Sequence, residues 1–124
     1  MKVLVTVWNG RISPVFDVAR EGLLLDVENG EVISKKSVLI DFGTCMDKVN
    51  FILRERIDLL ICGAISRRVE VELVAKGVVL YPFISGEIDD VIRGFIENRL
   101  ENQAFAMPGC RRGEGRGRRR KRLF

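Results

Sequence analysis

The hydrophobic period of the chain changes once, near residue 44, and that change restricts the folds open to it. Before it, the pattern is that of strands. Residues 3–8, VLVTVW, form a nearly continuous apolar run of buried-strand type, stopped by the turn pair Asn9-Gly10. Residues 23–27 and 32–40 flank Glu28-Asn29-Gly30-Glu31, and Asn-Gly between two β-prone runs predicts a tight hairpin because both residues tolerate positive φ.

After residue 44 the spacing is helical wherever it is not a short apolar run. Met46, Val49, Ile52 and Leu53 recur at helical intervals behind Thr44, with Asp47 placed to close the helix start. Residues 57–62 read as a buried strand, and Ser66 caps a second helix that runs to Lys76 and ends at Gly77. Residues 78–81 are a further strand closed by Pro82. Ser85 or Gly86 then opens a helix whose Ile88, Val91, Ile92, Phe95 and Ile96 form one stripe.

The expected order is β-β-β-α-β-α-β-α: a mixed five-stranded sheet covered by helices, one α/β domain over residues 1–103. Right-handed crossovers would bring the later strands parallel to the first, with their carboxyl ends at one edge. Residues 104–124 offer no apolar face and read as a flexible Cys- and Arg-rich tail.

Charge divides along the same boundary. Residues 111–124 carry eight basic side chains and one acid, a net +7, so the first 110 residues sum to −3 within a total of +4. The basic character belongs to the tail, and a basic nucleic-acid-binding surface is not predicted for the body. The amino-terminal apolar stretch is too short for a secretory signal, and no segment reaches the ~18 apolar residues of a membrane span. A cytoplasmic protein with no membrane contact is expected. Cys45, Cys62 and Cys110 have no paired spacing, so reduced thiols are the default, and the absence of histidine removes the commonest zinc ligand and general base.

In open α/β sheets, ligands collect beyond the strand carboxyl ends. Residues 8–14, 62–68 and 82–86 are the loops there. The second and third lead into helix starts, where free N–H groups favour an anion, and Arg67 and Arg68 add charge. A small-anion site follows. Equally, Gly63 and Gly86 are what any strand-helix turn uses, and Cys62 at the end of an apolar run has the character of a small buried hydrophobe. Cys45 is reactive if exposed and inert if buried. A two-metal nuclease would need an acid on the first strand, and residues 1–8 contain none; Asp17, Asp26, Glu70 and Glu72 read as solvated surface charges.

The segments WNGRISPVFDVA (residues 8–19), LLICGAISR (59–67), VVLYPFISGEIDDV (78–91) and AFAMPGC (104–110) together resemble the NifX-like, dinitrogenase iron-molybdenum cofactor biosynthesis family. The resemblance runs through nearly the whole chain in order. It implies a ribonuclease H-like three-layer fold and a non-catalytic role: binding or carrying an iron-sulfur or iron-molybdenum-sulfur cluster or its precursor. It further implies Cys62 and Cys110 as metal ligands, with Asn9, Ser13, Gly63, Ser66, Arg67 and Gly86 lining the pocket. Thiolates with N–H donors to the cluster sulfurs suit such cargo. Where close relatives often carry a cysteine before the last-loop glycine, this chain has Ser85, and where distant ones have a histidine after the first-loop serine, it has Pro14.

The tail supports an alternative of another class, a module that binds nucleic acid or another polyanion. Its net charge would give salt-dependent, non-specific attraction, and the run has no interleaved aromatics to stack bases. An acidic protein partner fits the same field. A homodimer is compatible with an exposed sheet edge and a lone Cys110.

Overall fold

The computed structural model describes residues 1–41 and 43–100; the predicted tail, with Cys110, lies outside the described residues. Six strands form one mixed sheet: β1 (Lys2–Trp8), β2 (Arg11–Ile12), β3 (Glu21–Glu28), β4 (Glu31–Leu39), β5 (Leu59–Ile61) and β6 (Val79–Tyr81). Among the described residues three α-helices accompany the sheet: α1 (Cys45–Arg54), α2 (Arg67–Ala75) and α3 (Ile88–Ile96). The strand order is β4-β3-β1-β5-β6, with β2 on β1. β1 pairs antiparallel with β3 and parallel with β5, and β5 parallel with β6.

β1 is apolar throughout its middle because helices cover both faces of the sheet. Val3 and Val5 join Leu25, Ile61, Val91 and Ile92 in a core beneath α3. Leu4 points the other way, into a second core with Phe16, Val49, Ile52, Leu60 and Leu73 beneath α1 and α2. The period-two alternation thus assigns neighbouring residues of one strand to different cores.

Three expectations are corrected. The sheet has six strands, not five, because Asn9-Gly10 makes a hairpin and does not merely stop β1. Its φ values, 53° and 76°, are those of Asn29-Gly30 between β3 and β4, and both pairs reverse the chain tightly. β2 then pairs with Val7 and Trp8 of β1 on the edge that β5 has already left, since β5 covers only Val3 to Val5. Second, a 3-10 turn at Phe16–Val18 interrupts the predicted run of elements before β3. Third, α3 begins at Ile88 with Glu87 as its N-cap, later than Ser85 or Gly86. Residues 86–88 are first engaged with the β1–β2 hairpin: Ile12 N–H donates to the Gly86 carbonyl and Ile88 N–H to that of Gly10, each at 3.0 Å.

The predicted helix signals at α1 and α2 act as expected. Thr44 Oγ1 accepts from Asp47 N–H and Asp47 Oδ2 accepts from Thr44 N–H, both at 3.1 Å, a reciprocal cap. Thr44→Ala should lower stability by ~1 kcal/mol in denaturant unfolding, with the transition still cooperative.

Candidate functional site

The three loops predicted to meet at the carboxyl edge do meet, through backbone more than through side chains. After β2 the chain crosses the end of β5 as a strap, residues 13–17. Ala64 N–H donates to the Pro14 carbonyl at 2.8 Å and Phe16 N–H to the Ala64 carbonyl at 2.7 Å, so the strap is stitched to the β5–α2 loop from both sides. Ser13 N–H donates to the Thr6 carbonyl at 3.0 Å. Phe16 is fully buried in the second core and anchors the strap. On the other flank, Phe83 N–H donates to the Gly63 carbonyl at 2.9 Å and Ile84 N–H to that of Cys62 at 3.0 Å. Phe83 holds φ at 61°, a conformation costing ~1–2 kcal/mol for a bulky residue, and these two bonds fix it there.

Gly63 sits at the centre of this weave. A Cβ there would lie 2.5 Å from the carbonyl oxygens of both Ser13 and Pro14, so the close approach of strap and loop requires a residue without one. Among the predicted pocket residues, Gly63, Ser13 and Gly86 are therefore structural members of the junction. Ser13 is buried, its hydroxyl donating to the Val15 carbonyl at a long 3.5 Å. Asn9 lies exposed in the hairpin turn. Ser66 caps α2, its Oγ accepting from Val69 N–H at 3.4 Å. Arg67 and Arg68 stand exposed on the first turn of α2.

The expected anion site at the start of α2 already holds a negative group from this chain. Asp17, in the 3-10 turn, accepts from Ser66 N–H through Oδ1 at 3.3 Å. At α3 the first turn carries Asp89 and Asp90. Reading Asp17 and Glu70 as solvated surface charges is thus corrected: Asp17 is half-buried at the head of α2, and Glu70, on the inner face of α2, is only 4% exposed. Lys48 of α1, also 4% exposed, reaches under the strap and donates from Nζ to the Asp17 carbonyl at 2.8 Å. Sequence reasoning missed this lysine, whose position opposite the charged face of α1 was its only local signal.

Cys62 lies beneath the strap, fully buried in the second core. Burial pushes its thiol well above the ordinary range, and the negative charges of Asp17 and Glu70 push it further. The residue is held as a neutral thiol in this arrangement. Cys45, at the start of α1, is half-buried against the same core. Among the described residues no three or more Cys, Asp or Glu side chains converge as a metal cage. Outside the strap lies a mainly apolar hollow of about 250 Å³ between Trp8, Pro14, Val15, Val18 and Arg20.

This junction joins the stretches SPVFD and CGAIS, and a family model extends across both. The model described as dinitrogenase iron-molybdenum cofactor matches residues 1–98. The chain belongs to that family. Solved structures agree with the membership. A protein from Methanocaldococcus jannaschii assigned as a dinitrogenase is 26% identical with a TM-score of 0.65, over 81% of this chain and 91% of its own. A Thermotoga protein assigned as NifB is 25% identical with a TM-score of 0.62, over 88% of this chain and 98% of its own. The apo orange protein of Desulfovibrio gigas, at 15% identity and a TM-score of 0.67 over 85% of this chain and 94% of its own, shares the fold. No curated protein matches the sequence. No described helix is long and apolar enough to cross a membrane.

Two outcomes follow from the family junction. Gly63→Ala should destabilise the fold by ~1–3 kcal/mol, because two backbone carbonyls must retreat from the new methyl group; denaturant unfolding measures it. The buried thiol also gives stability a pH dependence. The unfolded cysteine ionises near its ordinary value of 9.0 while the folded one stays protonated. The unfolded state alone then loses a proton, so this group's contribution to stability falls as pH rises above that value, by ~1.4 kcal/mol per pH unit. Unfolding curves of Cys62→Ala should lack that added alkaline loss relative to the parent.

Proposed function

We propose that the protein binds or carries a metal-sulfur cluster, iron-sulfur or iron-molybdenum-sulfur, or a precursor of one, as cargo and without turnover. The observation that carries this reading is membership of the dinitrogenase iron-molybdenum cofactor family across residues 1–98. The ribonuclease H-like class inferred from the sequence belongs to the same reading. The described body fits the role of a platform better than that of a cage. It supplies the exposed guanidinium groups of Arg67 and Arg68, while its own carboxylates occupy the helix starts. The thiolate would come from Cys110, outside the described residues, whose neighbouring arginines favour the ionised sulfur. Cys62 serves as a second ligand only when the strap of residues 13–17 swings aside.

Anaerobic reconstitution with iron, sulfide and molybdate, read by metal analysis and visible absorption, tests this. Stoichiometric cluster in the parent, lost in Cys110→Ser, is the expected result. No stoichiometric metal in the parent would refute the function, and equal loading of the Cys62→Ser, Cys110→Ser double variant would refute the ligands.

The run of basic residues from Arg111 to Arg122 favours a second reading, non-specific binding of nucleic acid or another polyanion. Under it, RNA affinity of the full chain falls steeply with salt, and a version ending at Pro108 loses it. Affinity unchanged by the deletion eliminates the tail as the contact.

A further inference from the structure

The face of the sheet beneath α3 is not covered to its edge. Beside the start of α3 an open groove of about 450 Å³ runs over β3 and β4, lined by Val7, Leu23, Leu39 and Ile88, with Glu21 and Ser37 on it. Val7 and Leu23 pack at the margin of the core under α3, so the groove continues that core outward. Its outer wall is Leu39, 74% exposed on the edge strand. An apolar surface continuous with a core and left open is a seat for an apolar segment.

The path of the chain indicates which segment. α3 starts at the carboxyl edge, where Ile88 meets Gly10, and leads back toward the opposite edge, and Leu100 after it is buried in the same core. The described residues therefore end at the foot of the face that carries the groove. Cys110 lies ten residue steps beyond Leu100, a stretch that can span ~33 Å when extended. β1, with seven residues, is ~23 Å long, so the return path is within reach. The tail, read as a whole as offering no apolar face, has one short exception at its start, Ala104-Phe105-Ala106-Met107, whose two large side chains are spaced by two and would fall on one side of an extended chain. Arg111 and Arg112 follow Met107 by four and five residues, within reach of Glu21, which is exposed, paired with Val7 and of opposite charge.

We propose that the groove over β3 and β4 is the docking site of the chain's own residues 104–107, with Phe105 and Met107 as its apolar anchors. Docking there carries Cys110 to the carboxyl edge of its own domain. The inference concerns packing alone and stands whether or not any cluster binds.

A nitroxide attached to Cys110 of the full chain, in a Cys45→Ser background with Cys62 shielded by burial, provides the test. In an isotope-labelled sample, the amide signals of Gly10, Glu21 and Leu39 should be lost and should return when the nitroxide is reduced. The Phe105→Ser, Met107→Ser variant should restore them without reduction, as should Leu39→Glu, an exposed position where folding is not at stake. Intact signals in the parent, or loss unchanged by all these substitutions, would overturn the proposal. Mixing nitroxide-bearing unlabelled chains with labelled chains lacking the nitroxide examines a second copy as occupant. Loss of the same signals in that mixture would overturn docking within one chain.

Discussion

The close approach of the strap at residues 13–17 to the β5–α2 loop is the contact on which the carboxyl edge depends. It needs a residue without a Cβ at position 63, and it needs β5 to stop at Ile61 so that β2 can take over the edge of β1. With both conditions met, Ala64 bonds the strap in both directions and Phe16 drops into the core. The backbone groups that elsewhere in α/β sheets face a ligand are here largely engaged by other loops of the same chain. The edge is a closed seam with charged side chains standing on it.

That closure governs the chemistry beneath it. A thiol placed among apolar side chains and near two carboxylates is a poor nucleophile and a poor ligand, because the state that reacts is the thiolate. Lys48 adds its positive end to the same region by holding the backbone of the turn that carries Asp17. Buried ionic groups cost desolvation, and here the Lys48 bond to the Asp17 carbonyl and the Ser66 bond to the Asp17 carboxylate tie α1 and α2 to the strap.

Local signals carried much of this fold. Asn29-Gly30, the Thr44–Asp47 pair, Ser66 and Gly77 each act through neighbours within a few residues, and each does what its chemistry predicts. The meeting of the three loops was legible too, since it follows from the handedness of crossovers. What could not be read locally was fixed by distant partners. Asn9-Gly10 signals a turn, yet whether two residues then pair back depends on the length of β5. Asp17 and Glu70 have the sequence context of surface acids, yet the tertiary fold brings Asp17 to the head of α2 and turns Glu70 to the buried face of that helix. Of the pocket residues, Gly63 and Ser13 also have a structural task that no local signal announced: they close the junction between the strap and the β5–α2 loop. The tail assignments lie outside the described residues.

The sheet also has two edges of unequal character. At one side β6 offers three residues, too short a template for another chain to add to. At the other, β4 presents nine residues, with Lys35 and Lys36 at its middle. Two such strands meeting head to tail about their centres would bring lysines opposite lysines, and like charges directly opposed are destabilising in an antiparallel pair. One edge is thus protected by brevity and the other by repulsion, and the molecule can display a long, partly apolar strand to solvent without inviting endless growth of the sheet.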